Sequence, residues 1–141
     1  MGFNRLEVDA NGNRQLRPSR GGDGLYANIA PHSRVAETDE TLTVANIDGG
    51  LVQQNTDLTS DVTYTLPTAA LILAQAGYAA MDVGDAFSFF VTNAQPEAFD
   101  VILAVGTGIT AIGAGNDLEV APKCSKLFTL VRTGAATFDL Y

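Results

Sequence analysis

Residues 99–122, FDVILAVGTGITAIGAGNDLEVAP, decide what kind of fold this chain adopts. An apolar, strand-like run leads into closely spaced glycines, as it does before a phosphate-binding loop. A dinucleotide fingerprint requires G-x-G-x-x-G opening a helix, and a P-loop requires Lys and then Ser or Thr after its last glycine. Gly106, Gly108, Gly113 and Gly115 have neither spacing, and the next lysine is Lys123. Asn116-Asp117 leads into another strand-like run, so no helix N-terminus faces a phosphate. Asp117 and Glu119 would repel one as well. The glycines turn strands, and nucleotide binding is set aside.

Working outward, the neighbouring text has the same character. AFSFFVTN (86–93) alternates with the two-residue period of a strand, and FDVILAV (99–105) predicts a strand covered on both faces. KLFTLVR and AATFDLY predict a final hairpin around Thr133-Gly134. Upstream, from about Thr41, LTVANI, GGLVQQN and DVTYTL are short β-branched runs, and Asp48-Gly49-Gly50 predicts a tight hairpin turn. PTAALILAQAGYAA (67–80) is the one helical stretch, with Pro67 at its first position and Gly77 past its end. Eight or nine short strands and one short helix predict an all-β fold, a jelly-roll-like antiparallel β-sandwich.

Residues 1–36 differ from the rest. NGNRQLRPSRGGDGLYANIAPHSR is rich in Gly, Asn, Arg, Ser and Pro, shows no helical or alternating period, and cannot form a core of its own. It reads either as a solvated tail or as an extended N-terminal arm that orders on a neighbouring subunit. Scattered apolar residues such as Leu25, Tyr26 and Ile29 favour the arm. The predicted organisation is therefore an arm at 1–36 and a β-sandwich domain at 37–141.

Charge divides along the same line. The chain has 141 residues and a net charge of −8. Residues 1–34 carry five arginines against three acidic side chains, net +2, while residues 35–141 carry three basic against thirteen acidic, net −10. An acidic body repels phosphate backbones, so no nucleic-acid partner is expected. No run of 18 apolar residues occurs, and no membrane partner is expected. The opening MGFNRLEVDANGN lacks an apolar signal core, and Leu6 stands where a myristoylation signal wants Ser or Thr. A soluble protein made without an export signal is the expectation.

Catalytic chemistry finds little material. Cys124 and His32 are the only residues of their kinds, so no intrachain disulfide forms. His32 lies in the loose N-terminal text, and nothing argues for a Cys124–His32 dyad. Asp82 and Asp85 flank Gly84, and Asp57 and Asp61 bracket a Thr-rich loop; such residues usually cap turns. No calcium-loop or zinc-helix pattern occurs, although a calcium ion between adjacent subunits stays open. The chain does not read as an enzyme, and no cofactor or metal site is expected.

From Leu66 to Tyr141 the order of motifs is familiar. LPTAALILAQAG, VGDAFSFFVTN, FDVILAVGTGITAIG and KLFTLVRTGAATFDLY resemble a β-sandwich module recurring in structural proteins of tailed phages and large viruses. The resemblance covers about the last 75 residues and rests on four turn signals in the right order. It implies a virion component, often a homotrimer, with Pro67, Gly84, Asp85, Asn93, Gly106, Gly108 and Gly134 as structural turn residues and no catalytic ones. The function expected is that of a capsid decoration (cement) protein, made in the host cytoplasm and placed on the outer capsid surface. Its partners would be the major capsid protein and itself. Arg14, Arg17 and Arg20 would pair with capsid carboxylates, and Leu25, Tyr26 and Ile29 would fill apolar grooves. The alternative is a receptor- or glycan-binding module at a tail-fibre tip. That reading is weakened by the lack of Trp and of a stalk or repeat. Independently, residues 86–92 and 99–113 carry only Asp100 as a charge, which predicts a surface covered by a partner.

Overall fold

The computed structural model describes residues 4–8, 14–18, 31–34, 37–96, 98–113 and 118–141. Its strands are β1 (Asn4–Val8), β2 (Arg14–Pro18), β3 (His32–Arg34), β4 (Glu40–Thr41), β5 (Leu51–Gln54), β6 (Val62–Thr65), β7 (Ala86–Asn93), β8 (Val101–Ala104), β9 (Ile109–Ala111), β10 (Glu119–Val120), β11 (Cys124–Gly134) and β12 (Thr137–Leu140); two short helices, α1 (Val44–Asp48) and α2 (Ala69–Ala74), interrupt them. Strands β1 and β2 form an antiparallel pair of their own. The other ten make a six-stranded sheet, ordered β3-β5-β7-β11-β12-β9, and a four-stranded sheet, ordered β10-β8-β6-β4.

The chain order explains the strand directions. From β3 to β11 every strand lies in the opposite sheet from the one before it. Strands two apart in sequence therefore become sheet neighbours, and each circuit brings the chain back in the same direction. So β3, β5 and β7 run parallel in one sheet, and β4, β6 and β8 run parallel in the other. In these two sheets antiparallel pairing appears only where the coil ends, at β8–β10, β7–β11 and β11–β12, while β9 lies parallel to β12.

This overturns the expected antiparallel jelly roll. The fold is mixed α/β, with two mixed sheets and two short helices. The error has a physical origin, because alternation of apolar residues records which face a residue is on and not which way its strand runs. The second helix was hidden in LTVANI. Thr43 caps α1: its hydroxyl accepts from the Asn46 N–H, and Asn46 Oδ1 accepts from the Thr43 N–H at 2.7 Å. This reciprocal pair outweighs the β-branched composition. Asp48-Gly49-Gly50 then ends a helix instead of turning a hairpin, with Gly50 at φ 81°. The predicted helix is shorter than expected. Thr68 is its N-cap, so Pro67 precedes the cap instead of taking the first helical position, and the helix ends at Ala74 with Gln75 as C-cap, before reaching Gly77.

The core lies between the sheets. Val52, Phe87, Phe89, Val91, Phe128, Leu130, Phe138 and Leu140 from the larger sheet are buried with Val62, Tyr64, Val101, Leu103 and Val120 from the smaller. Phe89 and Phe128 face each other across β7 and β11 with ring centroids 6.0 Å apart. Ile47 of α1 and Ile72 of α2 close the same cluster. Polar ties cross the layers: Tyr64 Oη donates to the buried Gln54 Oε1, and Asn93 Nδ2 on β7 donates to the Val120 carbonyl on β10 at 3.0 Å. Strand β3, within the stretch read as an arm, is hydrogen-bonded to β5.

Candidate interaction surface

The structure gathers the sequence-predicted turn residues at three places. Pro67, Gly106 and Gly108 meet where the loop after β8 passes the start of α2. There Leu66 N–H donates to the Ala104 carbonyl at 2.8 Å, and Ala69 N–H to the Thr107 carbonyl at 2.9 Å. A Cβ on Gly106 would sit 2.5 Å from the Leu66 carbonyl oxygen, so only glycine fits. Gly84, Asp85 and Gly134 collect around Arg132. Asn93 stands apart, buried, with Nδ2 donating to the Phe99 and Val120 carbonyls.

Arg132 is a staple that the sequence did not announce. Its guanidinium donates to the carbonyls of Met81, Gly134 and Ala135, and the Arg132 carbonyl accepts from Gly84 N–H at 2.8 Å. It thus ties the 81–85 turn to the irregularity near the end of β11. Arg132→Ala is expected to cost about 2–3 kcal/mol, since charged hydrogen bonds contribute roughly 1.5–3 each and solvent replaces part of them here. Arg132→Lys should recover only part of that, because a single ammonium cannot reproduce the planar fork. Urea unfolding of the three proteins measures both effects.

The candidate catalytic residues are kept apart. His32 lies on β3 and Cys124 on β11, with β5 and β7 between them, so strand spacing alone separates them by about 14 Å. His32 is instead held in a structural network. Its Nδ1 is 3.0 Å from Asn46 Nδ2, and its Nε2 is 3.2 Å from Glu40 Oε2. Because Asn46 Oδ1 is committed to the α1 cap, its amide donates to Nδ1, which leaves Nε2 to donate to Glu40. Carboxylates serve the backbone: Asp39 accepts from Thr63 N–H, Asp61 from Asp100 N–H and Asp85 from Asp82 N–H. Among the described residues no group of three metal-ligating side chains converges. Among the described residues no helix is long and apolar enough to cross a membrane.

The outward face of the six-stranded sheet is built differently from the rest of the surface. Strand register places Leu51, Phe90 and Leu127 side by side across β5, β7 and β11. Phe90 and Leu127 are 43% and 53% exposed, which is unusual for large apolar residues in mid-sheet. Next to this row, Ser88 bonds to Thr129 at 2.8 Å on one side and Thr92 to Ser125 at 2.7 Å on the other. Ala86 opposite Val131 continues the uncharged strip. Across β5, β7, β11 and β12 the one charged outward side chain among the described residues is Asp139, at the strip's margin. The sequence carried a signal for this face: Phe89-Phe90 and Leu127-Phe128 are adjacent bulky pairs, and a strand sends one of each pair outward.

A concavity of about 530 Å³ opens elsewhere, beside β4 and the starts of α1 and α2. Thr41, Thr43, Thr65, Thr68 and Thr107 give it hydroxyls, Leu71 and Val105 give it apolar wall, and no aromatic ring or charged group lines it.

Arg14 and Arg17 fall on β2, where only the backbone is described, and Arg20, Leu25, Tyr26 and Ile29 lie outside the described residues. Comparisons with protein-family models, curated proteins and solved structures found no match to this chain.

Proposed function

We propose that this protein is a non-enzymatic structural subunit of a virus particle, a decoration protein that braces the outer shell. The observation carrying the proposal is the uncharged, partly apolar face on the six-stranded sheet of a chain whose net charge is −8. Exposed apolar patches rimmed by polar groups mark association surfaces. The resemblance of residues 66–141 to virion modules supplies the setting. Basic N-terminal residues would hold acidic sites on the major capsid protein, and the sheet face would join subunits over the lattice. Modest contacts repeated over many copies then resist pressure from within.

Co-sedimentation of the full chain with purified particles tests this. Binding is expected to be saturable. Replacing Arg14, Arg17 and Arg20 together by Ser should weaken it by roughly tenfold or more, since each 1.4 kcal/mol lost is a factor of ten. Wild-type protein that stays in the supernatant contradicts the proposal. The fibre-tip alternative would need an aromatic sugar platform, and the 530 Å³ concavity has no aromatic ring in its wall.

A further inference from the structure

We infer that the occupant of the uncharged sheet face is a second copy of this chain, docked face to face about a two-fold axis near Phe90 and Leu127. The inference rests on the reading of that face as an association surface, and it replaces the trimer suggested by resemblance with a dimer.

Charge selects the partner. Residues 35–141 carry net −10, so two copies approaching by most of their surface meet like charge with like. A basic partner would be drawn to the acidic surface, and its contact would be rich in carboxylates. A like-charged partner can dock only where charge is missing; the threonine-lined concavity also lacks charge but is recessed, whereas the strip from Ala86–Val131 through Leu51–Phe90–Leu127 to Thr92–Ser125 lies on an open sheet face that a copy of itself can meet.

Symmetry selects the stoichiometry. One patch that fits itself makes an isologous two-fold contact, whereas a trimer needs two different complementary patches. In the two-fold arrangement the row Leu51–Phe90–Leu127 lies against its own copy. The Ser88–Thr129 and Thr92–Ser125 hydroxyls already bond to each other, which lowers the cost of removing them from water.

Sedimentation equilibrium of the intact chain tests the inference without any virus particle, so failure of shell binding and failure of dimerisation are separate results. The wild type is expected to sediment as a dimer of 14.8 kDa chains. Phe90→Glu and Leu127→Glu would each set paired carboxylates at the axis, and the dissociation constant should rise roughly 100-fold or more. Both positions are exposed, so circular dichroism should show the variants folded. If they are not, relaxation of the wild-type Phe90 and Leu127 signals by a soluble paramagnetic probe replaces them. Protection at high concentration that vanishes on dilution supports the dimer, and equal relaxation at both concentrations overturns it. A monomer or trimer by sedimentation, or a dimer indifferent to both substitutions, also overturns it.

Discussion

Gly108→Ala is expected to lose roughly 4 kcal/mol of stability, combining about 1–2 kcal/mol for a left-handed backbone with roughly 1–3 for overpacking. Gly108 has φ 83°, and a Cβ there would stand 2.7 Å from the Ala136 carbonyl oxygen and 2.8 Å from the Ala69 Cβ. Both neighbours are fixed, one in the β11–β12 turn and one in α2. Gly106→Ala should cost about 3 kcal/mol for the second reason alone, since its Cβ would meet the Leu66 and Pro67 carbonyls at 2.5 and 2.6 Å. Gly84 and Gly77 are the controls. Gly84 has φ 97° but open space around it, so Gly84→Ala should cost only about 1–2 kcal/mol. Gly77 has neither restriction, and Gly77→Ala should be neutral or stabilising by up to about 1 kcal/mol. In a thermal melt the Gly108 variant would fall by roughly 10 °C or more. Four equal losses would contradict the close packing of this loop against α2.

Asn93→Leu should cost about 3 kcal/mol or more, although the two side chains have the same number of non-hydrogen atoms. The Asn93 amide bridges the Phe99 carbonyl at 2.9 Å and the Val120 carbonyl at 3.0 Å, and so joins β7 to the opposite sheet. Leucine would take this donor from the Val120 carbonyl at a cost of roughly 1–3 kcal/mol, and one of two donors from the Phe99 carbonyl, which keeps Gln95 Nε2 at 2.6 Å, at roughly 0.5–1.5 kcal/mol more. Asn93→Asp should be worse at neutral pH, because an ionised acceptor would then oppose two carbonyl oxygens without solvent. Asn93 Oδ1, itself buried without a hydrogen-bond partner among the described residues, shows that the donor side of this amide does the joining. Chemical denaturation ranks the three proteins. A loss below about 1 kcal/mol for Leu would mean that the bridge is incidental.

Several parts of this molecule were legible in its sequence. AFSFFVTN is the strand β7, because its alternation leaves one solution, and DVTYTL contains β6 for the same reason. The glycines at 106 and 108 do carry the chain around a corner, between β8 and β9 in different sheets. The closing hairpin is present, although Ala135 and Ala136 make its turn and Thr133-Gly134 stays within β11. FDVILAV forms β8 with one face buried and the other only half-covered.

Strand direction was not legible. Turn signals at short intervals suggest hairpins, yet here nearly every connection crosses to the other sheet, and crossing leaves the same local composition as turning back. Helix α1 was missed because the capping pair Thr43–Asn46 is a stronger local instruction than the β-branched Thr43 and Val44 around it. Arg132 escaped notice because its three acceptors are backbone carbonyls, which carry no sequence signal. The sheet face was partly foreseen, since residues 86–92 lack charge. Its centre at Phe90 and Leu127 required the register of β7 on β11.

Immunogold electron microscopy of intact particles, with an antibody raised against the folded protein, tests the structural role most directly. Gold distributed evenly over the heads is the predicted result. Gold confined to tail or fibre tips, or no gold on particles at all, would contradict a shell-bracing subunit.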